Sequence, residues 1–161
     1  MANPTWRAWA ALAAFVAVSF LPAAAGWLWG GARPGEWYQA LAKPSFTPPG
    51  WVFGPVWTIL YASMGVAAWM VWRKAGLAGG AIALTLFAVQ LVFNGAWSVL
   101  FFGLHNVAAA FVDIVLLWLA IAATLVAFWR ISTPAGALML PYLAWVSFAA
   151  VLNGVLWRMN A

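Results

Sequence analysis

Three sets of side chains in this sequence have types and spacings that could hold a ligand. Gln90, Asn94 and Trp97 fall three and four residues apart, so a helix through them carries two amides and an indole on one face. Phe53, Trp57 and Leu60 share a face in the same way. So do Trp145, Ala149 and Leu152, with Asn153 at the border. Aromatic rings beside small or polar residues on three helices suit a flat, apolar ligand with a few polar groups. The same spacing serves plain helix packing, with the amides clamping neighbouring helices.

Reactive chemistry is scarcer. The chain has no cysteine and one histidine, His105, which excludes disulfides, thiolate metal sites and cysteine nucleophiles. The only acids are Glu36 and Asp113. There is no phosphate-binding loop, no dinucleotide fingerprint and no acid–base pair. No catalytic residue and no metal-ligand set is assigned, and no cofactor is expected. Asp113 lies about two turns into a predicted span, where a carboxylate is either functional or bonded to a neighbouring helix. His105 falls in a short turn and reads as a solvated loop residue.

The elements that must position these residues are membrane helices. Of 161 residues, 68% are hydrophobic and only 6% charged, where a soluble domain carries about a quarter. Mean hydropathy is +0.98. A span needs roughly 20 apolar residues. The pattern predicts an all-α membrane protein, a bundle of five spans at about 6–29, 51–72, 81–102, 107–129 and 135–157, forming one integral membrane domain. Arg7, the first apolar run and Ala23-Ala24-Ala25 resemble a cleaved leader, but Trp27 and Trp29 prolong the run, so a retained span bent at Pro22 is expected. The net charge of +5 is spread over helix ends, without the basic cluster that nucleic acid would need. Arg7, Arg73, Lys74 and Arg130 fall on one side and Arg33, Lys43 and Arg158 on the other, too even a split to fix orientation.

Tryptophan is abundant, at 14 residues. Trp6, Trp9, Trp27, Trp29, Trp51, Trp72, Trp129 and Trp157 sit at span ends and fit an interfacial belt. Trp57, Trp97, Trp118 and Trp145 lie deeper. Between the first two spans, the stretch from Gly30 to Thr47 is the only long polar connection, and its aromatics and prolines predict order. From Lys43 to Trp57 the chain reads KPSFTPPGWVFGPVW: a stiff proline-rich arm, then a helix with Pro55 in its first turns. Such an arm is suited to roof a binding site. Pro55 must either kink the helix or sit where backbone groups find other partners. Gly76 and Gly80, Gly79 and Ala83, Gly26 and Gly30, and Gly50 and Gly54 are spaced for close helix approach, and a homodimer through the third span is expected.

The long motifs carry a family resemblance. Trp37-Tyr38, KPSFTPPGWVFGPVW onward to Tyr61, QLVFNGAWSVLFFG from Gln90 to Gly103, Val112-Asp113, and PYLAW from Pro141 onward to Leu152-Asn153 occur in one order over nearly the whole chain. The chain resembles the translocator protein family, also called tryptophan-rich sensory proteins or peripheral-type benzodiazepine receptors, and looks bacterial. The resemblance implies a five-helix bundle, often dimeric, that binds porphyrins such as protoporphyrin IX or haem, and other apolar molecules, beneath the first loop. It implies a receptor or carrier with a sensory role in stress and tetrapyrrole metabolism. The matching pocket positions are Phe53, Val56, Trp57, Asn94, Trp97, Leu116, Trp145, Ala149 and Leu152. Some bacterial members are associated with light- and oxygen-dependent porphyrin breakdown, in which the tryptophans matching Trp57 and Trp145 are implicated. A purely lipid- or partner-binding role is the other alternative. Two departures matter. Animal members have a tryptophan where this chain has Ala109, and their sterol motif needs a tyrosine where this chain has Gly154, so sterol transport is not expected. The implied location is a bacterial inner or outer membrane.

Overall fold

The computed structural model describes residues 5–30 and 35–161; Arg33 and the Trp29 side chain lie outside what is described. The described chain is helical: α1 (Thr5–Ser19), α2 (Leu21–Gly30), α3 (Glu36–Ala40), α4 (Gly50–Gly79), α5 (Ala81–Ser98), α6 (Val107–Ile131) and α7 (Thr133–Asn160). A π-helical turn, Val99–Gly103, extends α5. Five helical segments are long and apolar enough to cross a bilayer, with α1 and α2 together making the first, Trp6–Leu28. In hydrocarbon only helices satisfy such backbone internally. The protein is a multi-pass integral membrane protein.

The first span breaks at Phe20, between α1 and α2, with Pro22 buried in the first turn of α2. The Ser19 hydroxyl donates to Phe15 O at 2.8 Å, a back-bond of the kind that bends helices. Pro55 does not break α4. The one non-helical residue in that helix is Gly76, at φ 69°, a left-handed conformation that glycine adopts without strain. The missing N–H of Pro55 would have bonded to Trp51 O, at the exposed first turn, so little is lost there. Ser132 precedes α7 and Pro134 lies in its first turn, where a missing N–H costs little, although the Ser132 side chain makes no cap bond.

The spans form a ring. α1 packs on α4, α4 on α7, α7 on α6, α6 on α5, and α5 on α2. Without a hydrophobic drive in lipid, close approach has to come from small residues. At Gly65 of α4, an added Cβ would lie 2.7 Å from Val16 Cα of α1. At Gly136 it would lie 2.8 Å from Trp129 Cα, where α6 turns into α7. Trp69 Nε1 donates to Ala8 O at 3.0 Å, which ties the start of α1 to α4. Met64, Ala67, Ala68 and Val71 of α4 meet Ile121 and Phe128 of α6 in a closed core. Gly26 packs against Ser98, whereas Gly50 and Gly54 approach no helix, contrary to the expectation from their spacing.

Candidate functional site

At the end of the bundle nearest α3, the ring encloses a cavity of about 830 Å³. Ligand pockets run from roughly 300 to 1,000 Å³, so this one has room for a large planar molecule. Phe53 and Trp57 enter from α4, Asn94 and Trp97 from α5, and Trp145, Ala149 and Leu152 from α7. Each of the three faces read from the sequence contributes to this one space, but Leu60 borders the groove outside α4 and α7 and Gln90 is buried away from the lining. Two of the expected pocket positions also lie outside it. Leu116 is 44% exposed on the outer surface of α6, and the wall there is Ile114 and Leu117, since one residue rotates a side chain by about 100°. Val56 lies beside Trp145 in a shallow apolar groove on the outside of α4 and α7.

The floor is a buried polar chain. Tyr61 Oη donates to Asn94 Oδ1, Asn94 Nδ2 donates to Tyr142 Oη, and Tyr142 Oη donates to Gln90 Oε1, each at 2.8 Å. Gln90 Nε2 ends the chain on Met64 Sδ at 3.8 Å. The amides therefore do clamp α4, α5 and α7, and Asn94 and Tyr61 also face the cavity. Trp57 stacks on Tyr61, with centroids 5.3 Å apart, and meets Tyr142 edge-on at 6.1 Å. Tyr61 and Tyr142 were legible as Trp57 plus four and Trp145 minus three, one helical step along the same faces.

Along the wall, Trp97 Nε1 donates to Asn153 Oδ1 at 2.9 Å, and Asn153 Nδ2 donates to Val107 O at 3.0 Å. Trp97 is held flat against Phe101, with centroids 5.0 Å apart. Trp118 turns away and donates to Ser147 Oγ at 2.8 Å, a packing role. Trp145 is different. Its Nε1 is buried and has no partner among the described residues, although the ring borders the cavity. An unbonded buried donor is costly unless something else accepts from it. Asp113 is also buried, with Oδ2 unpartnered among the described residues, but it does not line the cavity.

The roof is ordered. Tyr38 and Gln39 of α3 cover the cavity, and Trp37 and Tyr38 rest on Phe101. Asn160, at the far end of α7, accepts from Ala42 N–H at 2.9 Å and donates to Ala42 O at 3.0 Å. Lys43 Nζ donates to Gln39 O and Leu41 O and sits 4.8 Å over the Tyr38 ring. Burial raises the Tyr38 phenol above its ordinary pKa, which keeps it neutral and compatible with that apolar seat. His105, expected as a plain loop residue, is exposed but stacks on Trp37 at 4.2 Å.

The family model described as TspO/MBR family matches residues 8–158. The chain belongs to the TspO/MBR family. It is 47% identical over 133 residues to the tryptophan-rich protein TspO of Chlorobaculum tepidum, covering 80% of this chain and 82% of that one. It is 42% identical over 152 residues to the tryptophan-rich sensory protein of Cereibacter sphaeroides, covering 94% and 92%. It is 43% identical over 127 residues to the human translocator protein, covering 78% and 75%. In this TspO/MBR chain the last-helix glycine is filled from outside: a Cβ on Gly154 would lie 2.9 Å from Phe111 Cε2. A phenylalanine of α6 thus packs against the position expected to carry a tyrosine in the sterol motif. Ala109 is in the first turn of α6, where its N–H caps onto Asn106 Oδ1 at 2.9 Å.

Proposed function

We propose that this protein is a membrane receptor or carrier for tetrapyrroles and similar flat apolar ligands, with a sensory or regulatory role. The observation that carries the reading is the convergence of three indoles, Trp57, Trp97 and Trp145, on one roofed cavity. Their rings offer faces and edges to a planar ligand, and each good stack contributes about 0.5–1.5 kcal/mol beyond burial. Tyr61, Asn94 and the unpartnered Trp145 N–H offer polar contacts within an otherwise apolar lining. The names of the bacterial and animal relatives, sensory protein and translocator protein, support the same class of role.

The test is a protoporphyrin IX titration of the purified protein, followed by tryptophan quenching, beside Trp57→Phe and Trp145→Phe. Saturable binding weakened in both variants is expected. Non-saturable quenching that ignores the variants would mean the pigment only partitions into detergent, and would remove the proposal. Homodimer assembly belongs to the same reading. The outer face of α5, with Ile82, Val89 and Val92 exposed, supports it. Crosslinking in lipid that captures only monomer would remove that part.

A further inference from the structure

We propose that the cleft between α2 and α4 is a lateral portal, through which an apolar ligand passes between the bilayer hydrocarbon and the cavity. The inference rests on the cavity being a ligand site, as proposed above. It starts from the break in the first span. α1 packs on α4, held at Gly65 and by the Trp69–Ala8 bond. Beyond Phe20 the chain changes partner, and α2 packs on α5 and the π-helical turn instead. Pro22 and Ala25 approach Gly95, and Gly26 approaches Ser98. The ring is thus closed below the break and parted above it.

The cavity reaches that parting. Its lining there is Ala23 and Gly26 on one side, and Gly50, Trp51 and Gly54 on the other. Trp51 is 76% exposed. A Cβ added at Gly50 or Gly54 would meet nothing within 4 Å. None of these residues is charged, and all belong to segments apolar enough to span a membrane. The cleft therefore faces the bilayer from the interfacial belt at Trp51 inward, toward the hydrocarbon in which a flat apolar molecule dissolves. Among the described residues, two other ways in are covered. The Asn160–Ala42 clamp and the Trp37–His105 stack hold the roof down. The Trp145 ring stands between the cavity and the groove outside α4 and α7.

The chain has no cysteine, so single thiols can be placed at will. Gly54→Cys adds its side chain to open space and should fold normally. In phosphatidylcholine vesicles, benzyl methanethiosulfonate on that thiol should slow association of membrane-dissolved protoporphyrin by about tenfold or more, as expected for a blocked gate. Reduction should restore the rate. A short bis-maleimide joining Ala42→Cys to Asn160→Cys locks the roof and should leave the rate unchanged. An unchanged rate on plugging position 54, or a rate that collapses on locking the roof, would overturn the portal. A nitroxide on Gly54→Cys gives a second readout without porphyrin. It should be relaxed by dissolved oxygen and shielded from a water-soluble nickel chelate; relaxation dominated by the chelate would overturn the portal too. If the unmodified protein shows no saturable porphyrin binding, the tetrapyrrole reading falls, and the nitroxide alone decides whether the cleft opens to lipid.

Discussion

Gly54 and Gly65 lie about three turns apart on α4 and do opposite work. At Gly65 the backbone of α1 comes so near that any side chain would collide with Val16. At Gly54 there is open space beside the cavity. The two ends of the bundle differ in the same way. Around Gly65 the core is filled by Met64, Ala67, Ala68 and Val71, all fully buried. Around Gly54, helices α4, α5 and α7 hold their rings around a cavity of about 830 Å³. In lipid, tight packing supplies the stability and polar clamps add to it. One end of the ring is thus committed to holding the helices together, which allows the other end to remain hollow.

The largest expected effect breaks the packed end. Gly65→Leu should push α1 off α4 and cost more than the usual 1–3 kcal/mol of overpacking, about 3 or above, read as a fall in thermal midpoint in detergent. Gly54→Leu in the same assay should be neutral, within about 0.5 kcal/mol. Equal losses in the two variants would erase the distinction between the ends. Next comes the floor, where the two ends meet. Asn94→Leu removes the partner of both Tyr61 and Tyr142 and should cost about 1–3 kcal/mol of stability. It should also weaken porphyrin binding, so a variant that loses only one of the two would show that the floor serves a single end.

A finer test lies on α6. Ile114→Ala should weaken porphyrin binding by several-fold, through about 1 kcal/mol of lost contact, while Leu116→Ala should leave it unchanged. Titration of the two side by side decides which face of the helix meets the ligand. The smallest effect is at the roof. Asn160→Ala removes two hydrogen bonds to Ala42 and should loosen the roof by about 0.5–1.5 kcal/mol. Faster hydrogen exchange at the Ala42 amide is the readout, with the thermal midpoint little changed.

The hollow end and the packed end were not equally legible. The spans followed from hydropathy and the cavity-facing sides of α4, α5 and α7 from periodicity, because Trp57, Trp97 and Trp145 each sit in a helix with a distinguishable polar or small-residue side. Helix α6 gave no such phase. From Val107 to Phe128 it is apolar nearly all round, so Leu116, Ile114 and Leu117 look equivalent until neighbours are known. The packed end was less legible still. Gly65 sits between Met64 and Val66 and gives no sign of Val16, which lies 49 positions away in the chain. Gly50 and Gly54 have the spacing of a packing motif but no partner, because the break at Phe20 carries α2 elsewhere. The Asn160 clamp joins residues 118 positions apart and has no local signature.

In the π-helical turn, the Leu104 N–H bonds to Val99 O at 2.8 Å and the Asn106 N–H to Leu100 O at 2.9 Å, five and six residues back. An α-turn would reach back only four. The wide turn therefore stores surplus chain between the Asn94–Trp97 face and the start of α6. A ruler laid along the sequence reads true up to Ser98 and is offset beyond it. A length difference of one residue between this chain and a relative would find its room there, in the slack beside Phe101 and Phe102, with every span left in register.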